Sequence, residues 1–222
     1  MQHALVNGEK TEAQPSLRGV CRICGGVTIA KCGQHMVWHW AHKSRAVCDR
    51  WWESETEWHR HWKDQFPKEW QEIICHDITG EKHIADIKTP HGTAVEFQHS
   101  PLDPEEMRSR EAFYGDMIWV VNGTRSELDP GFFRMGIHPK PTAPSPPAHQ
   151  LDWHGRGKIL LNWSQAEKPV YLDFGQFQEG VDLVWRLIMY DGNTKVGFVG
   201  PMHKKHFIET ILEGGSFPRV LD

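Results

Sequence analysis

Two acidic residues ten positions apart, Asp86 and Glu96, stand in the run His83-Ile-Ala-Asp-Ile-Lys-Thr-Pro-His-Gly-Thr-Ala-Val-Glu-Phe-Gln-His-Ser100. Apolar and polar residues alternate on both sides of Pro90-His91-Gly92, which predicts two short strands joined by a turn. With a side-chain period of two, Ala94, Glu96 and Gln98 share one face of the second strand, and Asp86 faces the same way as Lys88 on the first. Two carboxylates brought together repel and lose solvation unless a cation offsets them. A hard divalent ion such as magnesium or manganese suits oxygen ligands of this kind. The plainer reading is two ordinary acids on a solvated sheet face.

A second chemical pattern lies upstream. Cys21-Arg-Ile-Cys24-Gly-Gly is a tight knuckle, followed by Cys32, His39, His42 and Cys48. A Cys-x2-Cys pair with His and Cys further on has the spacing of a small zinc site. Tetrahedral zinc takes four ligands, so Cys21 and Cys24 need two more, and at least two of the six candidates do something else. The expected order of preference for those two positions is His42 and Cys48, then His39, then Cys32. The ion would be structural, since so small and loop-rich a region gains much of its folding energy from it.

The elements that must position these groups follow from periodicity. From Trp51 to Phe66 the pattern is helical, with Ser54 as N-cap and Pro67 as stop. Trp58, Trp62 and Phe66 form an apolar stripe, and Glu55, His59 and Lys63 form a polar line at the same spacing. Strand-like Glu72 to Ile78, a Thr79-Gly80 turn and the two acidic strands come next. Asp103 then caps a helix with Pro104 at its first position and Glu106 placed for a capping box, ending near Gly115. Met117-Ile-Trp-Val-Val121 reads as a strand buried on both faces. The order is helix, three strands, helix, strand, and the intervening helix makes the last two strands parallel neighbours.

The flanks are less informative. Asn7-Gly8 signals a peripheral hairpin. His138 to Gln150 contains five prolines and reads as a linker. Beyond it, short apolar runs at Ile159–Trp163, Val170–Phe174, Val184–Tyr190 and Val196–Val199 suggest a small β-rich module or sheet extension, closed by a short helix from about Lys204 to Leu212. His203-Lys-Lys-His206 is a basic spot at the start of that helix. The expected divisions are therefore 1–50 (hairpin and knuckle), 51–137 (core), 138–150 (linker) and 151–222 (β-rich module).

Composition sets outer bounds. The chain has 222 residues, 39% hydrophobic and 24% charged, with a formal net charge of -4. Nothing global attracts nucleic acid, so such binding needs a local patch or a metal. Five cysteines, no apolar signal segment and no run long enough to span a bilayer point to a reducing, cytoplasmic setting. Eleven tryptophans suit core filling, with base stacking as a second use.

The chain resembles the CoiA-like competence proteins of the PD-(D/E)xK nuclease superfamily. The resemblance rests on Cys21 and Cys24, His39-Trp-Ala-His42-Lys43-Ser44 with Cys48, Glu55 with His59 and Lys63, Ala85-Asp86, Glu96-Phe-Gln98-His-Ser100-Pro-Leu, Arg108 or Arg110 before Tyr114, and Trp119-Val-Val. It covers roughly residues 18 to 125. It implies a restriction-endonuclease-like αβββαβ core between a zinc-knuckle module and a β-rich extension. It further implies a divalent-metal-dependent deoxyribonuclease in which Asp86 and Glu96, with the Phe97 carbonyl, bind magnesium or manganese and Glu55 completes or orients the shell. Gln98 stands where the broader superfamily has lysine; glutamine orients by hydrogen bonds but brings no charge. Lys63, or Lys88, would supply the charge, and His59 would move a proton or touch phosphate. DNA, single- or double-stranded, is the implied partner. The alternatives are a non-catalytic nucleic-acid-binding protein that keeps this fold and zinc module, and a zinc-stabilised interaction module with no nucleic-acid partner.

Overall fold

The computed structural model describes residues 1–44, 48–144 and 146–217. Arg45 to Val47, between His42 and Cys48, Ser145 in the proline-rich stretch, and residues 218–222 lie outside the described residues. The chain is mixed α/β, rich in sheet with few and short helices. It divides into two compact units, Met1–Lys88 and Thr89–Asp222.

The first unit opens with an antiparallel sheet of β1 (His3–Val6), β2 (Glu9–Glu12), β3 (Arg18–Val20), β4 (Val27–Lys31) and β5 (His39–His42), in the order β2-β1-β3-β4-β5. The β1–β2 connection is the expected hairpin: Val6 pairs with Glu9, and both Asn7 and Gly8 take positive φ, as a type I′ turn demands. Ala4, Ala13, Cys21 and Trp40 are buried together beneath this sheet, with Cys32 partly buried against them.

The helix expected over Trp51–Phe66 is shorter. Helix α1 spans Glu57–Lys63, because Thr56 rather than Ser54 caps it: the Thr56 hydroxyl accepts the His59 N–H, and the His59 ring reaches back to the Thr56 N–H. That reciprocal pair satisfies two amides that the helix start cannot. Glu55 therefore precedes the helix instead of riding on it. Trp62 and Phe66 are buried as the stripe predicts, while Trp58 is only partly so. A 3-10 turn, Lys68–Trp70, follows Pro67, and β6 (Gln71–His76) pairs antiparallel with β7 (Lys82–Lys88), the strand that carries Asp86. Asp77 closes the turn between them by accepting the Thr79 and Glu81 amides.

In the second unit, β8 (Ala94–Gln98) is buried at every position and carries Glu96 and Gln98. Helix α2 (Pro104–Tyr114) is capped by Asp103, whose carboxylate accepts the Glu105 N–H, and ends at Gly115 with φ of 67°. The expected capping box does not form, because Glu106 turns to Arg110 one helical turn on. Strand β9 (Met117–Asn122) is wholly buried and runs parallel to β8, pairing Glu96 with Trp119 and Gln98 with Val121. Thus α1, β6, β7, β8, α2 and β9 follow one another along the chain in the predicted order.

Sequence reading gave no element for residues 126–137, where α3 (Asp129–Gly136) forms. The stretch read as a linker instead contains β10 (Ala143–Pro144) and the start of β11 (Pro147–Asp152). Proline at the first residue of a strand needs no ladder donor, so it does not block pairing. Gly136 makes the approach of α3 possible: a Cβ there would meet the Asp152 carbonyl oxygen at 2.1 Å. The run Ile159–Trp163, grouped with the β-like runs, is a one-turn helix, α4, with Leu160 and Trp163 buried three residues apart; so short a run has no decisive period. The remaining runs are strands: β12 (Val170–Asp173), parallel to β9, then β13 (Gln176–Gln178), β14 (Val181–Asp191) and β15 (Val196–His203). The order β10-β11-β15-β14-β12-β9-β8 makes residues 147–203 a continuation of one sheet. Helix α5 (Lys204–Leu212) closes the unit with Phe207 packed on Tyr171.

Candidate functional site

Cys21, Cys24, His42 and Cys48 meet in the first unit, with one ligand atom of each lying within 4.8 Å of all the others. Cys21 Sγ is 3.5 Å from Cys48 Sγ, and Cys24 Sγ is 3.3 Å from His42 Nε2. Ligands held about 2.0–2.3 Å from a common tetrahedral centre come to similar mutual separations. A disulfide, with sulfurs about 2.05 Å apart, is a different geometry. The knuckle is built by the glycines: Gly25 N–H donates to the Cys21 carbonyl, Cys21 N–H to the Gly26 carbonyl, and the Ile23 and Gly26 amides point at the two sulfurs from 3.4 Å. Burial, with the neighbouring Cys21 and Cys24 sulfurs, pushes the Cys48 thiol well above the ordinary cysteine range. Burial opposes ionisation of Cys24 as well, but the Gly26 N–H and its sulfur neighbours outweigh it and lower that thiol. Three sulfurs and one imidazole nitrogen gathered this closely fit a metal such as zinc. His39 is turned to the Val37 carbonyl and Cys32 into the core, so neither joins the four.

Lys63 organises a second cluster in the same unit. Its Nζ lies 2.6 Å from Glu55 Oε1, 3.5 Å from Asp86 Oδ1 and 3.6 Å from Glu72 Oε1. The side chains of Lys63, Glu55 and Glu72 are buried, whereas that of Asp86 is 24% exposed. Burial disfavours the Lys63 ammonium, but Asp86, Glu72 and Glu55 together raise its proton affinity well above that of an ordinary lysine. Lys63 is therefore a fixed positive charge and has no capacity to act as a base near neutrality. Glu55 Oε1 also lies 2.8 Å from Arg60 Nε, while its Oε2 is buried with no hydrogen-bond partner among the described residues.

Glu72 is the residue that sequence reading missed. It sits on β6 with φ of 46°, an uncommon conformation for a side chain of this size. Its carboxylate accepts the Gln2 and His3 amides and contacts His3 Nδ1. Lys63 leads the groups that overcome burial and hold its carboxyl well below the usual range. As a polar residue in an alternating strand it carries no warning in the sequence. His59 Nδ1 accepts at the α1 cap, and its Nε2 lies 3.8 Å from Glu53.

In the second unit Glu96 is buried 3.3 Å from Arg110 Nη1, and Arg110 also binds Glu106. Burial works against the guanidinium charge, but these two carboxylates more than restore it. Between Arg108 and Arg110, it is Arg110 that α2 turns inward. Gln98 is buried, and its amide donates to the Ser100 carbonyl. Glu111 fixes α2 to its sheet by accepting Trp119 Nε1 and the Glu167 and Lys168 amides. At the start of α5, Lys204 pairs with Asp173 and Asp182, which accounts for one charge of the basic spot. Among the described residues no helix is long and apolar enough to cross a membrane.

No protein-family model, curated protein or solved structure matches the chain.

Proposed function

We infer that the protein is a divalent-metal-dependent nuclease that hydrolyses DNA phosphodiester bonds. Asp86 is its principal carboxylate ligand in the first unit, where Glu55 completes or orients the set, and the family resemblance adds Glu96. The observation that carries this reading is the Glu55–Lys63–Asp86 cluster: three residues singled out for chemistry by their types and spacing are gathered at one point. There Glu55 Oε2 is buried without a hydrogen bond among the described residues. Around Lys63 one ammonium faces three carboxylates, Glu55, Glu72 and Asp86. Three carboxylates gathered against Lys63 and Arg60, with one carboxylate oxygen unbonded among the described residues beside a partly exposed aspartate, suit a hard cation.

When bound, magnesium or manganese supplies a more acidic water and neutralises charge on the scissile phosphate. The protein's own groups do the rest. Lys63, positively charged, stabilises negative charge as the phosphodiester opens and ties Asp86 and Glu55 to one point. Gln98 stands in the superfamily's lysine position and orients water or phosphate by hydrogen bonding. Arg110 fixes the Glu96 carboxylate. The Cys3His group holds zinc and braces the fold around it.

A second reading, a nucleic-acid-binding protein without catalysis, draws support from Gln98, which brings no charge and already donates to Ser100. Metal dependence separates the two. A nuclease converts labelled DNA to product with magnesium or manganese and stops in EDTA. A binder retains DNA in EDTA, with affinity that falls steeply with salt.

A further inference from the structure

Asp49 follows directly on the metal ligand Cys48, and its carboxylate is committed to the strand that bears Asp86. Oδ1 accepts from His83 Nδ1 at 2.8 Å and from the Trp51 N–H at 3.0 Å, and Oδ2 accepts the Ile84 N–H at 3.2 Å. The first of these partners sits three residues before Asp86 on β7, and the last two residues before it. The contact is well enclosed. The Asp49 side chain is 11% exposed and that of His83 4%. Trp51 stacks on the His83 ring, with centroids 3.2 Å apart and planes 15° from parallel. On its other edge the imidazole meets Glu81, which also receives Arg50. The chain from Cys48 to Trp51 is thus folded around one carboxylate, with both oxygens in use.

Hydrogen bonds to an ionised, enclosed acceptor are among the stronger ones, and a backbone amide left without its acceptor carries a full desolvation penalty. Pairing with β6 also holds the first residues of β7, and the Asp49 bonds add a tie from outside the sheet. A ligand loop held by metal has a fixed Cys48, and a fixed Cys48 fixes the next residue. A loop released from metal does not.

We propose that Asp49 is a positioning residue that couples occupancy of the Cys21–Cys24–His42–Cys48 centre to the order of strand β7 and hence to the placement of Asp86. The coupling is to a transition-metal ion of the zinc class, and removing that ion loosens a carboxylate that is not among its ligands. The link from metal centre to strand stands by itself. Its consequence for catalysis rests on the nuclease reading above.

The test is hydrogen exchange of peptides covering Lys82–Lys88, measured by mass spectrometry on the full chain. Wild type, Asp49→Ala and Asp49→Asn are each measured with zinc bound and after its removal by a thiol-directed mercurial with chelator. Zinc content is determined in parallel. In wild type, removing zinc accelerates exchange at Ile84 by about tenfold or more, the scale of a lost charge-assisted bond. Asp49→Ala shows that acceleration with zinc still present at wild-type stoichiometry, and removal of zinc adds little. Asp49→Asn, which keeps one carbonyl acceptor for the turn, falls between and guards against a misfolded alanine variant. If zinc removal accelerates exchange equally in wild type and both variants, or leaves Lys82–Lys88 unchanged in wild type, the coupling is wrong. In cleavage assays, Asp49→Asn with full zinc requires several-fold more manganese for half-maximal rate. Exchange that follows the pattern in a protein that cuts no DNA upholds the tether and sinks the nuclease reading. Metal-dependent cleavage with no exchange pattern does the reverse.

Discussion

Lys63 Nζ stands 3.5 Å from Asp86 Oδ1, joining the last residue of α1 to the strand that carries the clearest catalytic candidate. The same ammonium is 2.6 Å from Glu55, so one buried cation holds two carboxylates drawn from segments about 30 residues apart. Removing one partner from a buried ion group leaves charges that nothing compensates, at about 3–5 kcal/mol. Lys63→Met is expected to lose stability on that scale in chemical denaturation. At temperatures where it remains folded, DNA cleavage should still fall by at least about a hundredfold.

Acid sensitivity should trace to Glu72. Its carboxyl is held well below its ordinary value in the folded protein, chiefly by Lys63 against the opposing effect of burial. A depressed folded-state value contributes stability that is fully present above the unfolded value, near 4.5, and is lost as pH falls through the folded value. Glu72→Gln should therefore be less stable than wild type at pH 7. Its unfolding free energy should change less than that of wild type as pH is lowered from about 5 towards 3. Urea titrations at stepped pH measure both slopes.

The capacity of the Cys21–Cys24–His42–Cys48 group to hold zinc can be tested residue by residue. Cys48→Ser and His42→Ala are expected to lose most bound zinc and to unfold at lower temperature, because structural zinc is coupled to folding. Cys32→Ser, at a position packed against the sheet core, should retain one zinc per chain, as should His39→Ala. Metal analysis after gel filtration separates ligands from bystanders.

Arg110→Met strands Glu96 without its guanidinium partner. The expected result is a loss of about 3–5 kcal/mol from the pairing of buried charges. Arg110→Lys keeps a charge but not the fork that reaches both Glu96 and Glu106, so it should recover only part of the stability. Thermal unfolding of the two variants under one buffer checks the order.

The features legible in the sequence share a local cause. Asn7-Gly8, the Asp103-Pro104 cap, the Met117–Val121 run and the Cys-x2-Cys knuckle each encode their conformation within a few residues, and each is found. His42 and Cys48, first in the expected order of preference, complete the cluster. What escaped depends on distant partners. Glu55 looks like the first member of a helical line, yet Thr56 and His59 cap each other and leave it outside. It meets Lys63 all the same, because the chain before the cap folds back. Glu72 looks like any polar strand residue, and its positive φ answers to amides near the start of the chain. Prolines 139 to 147 suggest a linker because proline donates no hydrogen bond, but positions at a strand's beginning ask for none.

The central claim is tested most directly by incubating labelled single- and double-stranded DNA with wild type and Asp86→Asn at equal zinc content, in magnesium, manganese or EDTA. The account predicts cleavage by wild type with either metal, none in EDTA, and a loss of at least about a thousandfold in Asp86→Asn at temperatures where both proteins are folded. Equal cleavage by the two proteins, or DNA bound but uncut by wild type in every metal, would contradict it.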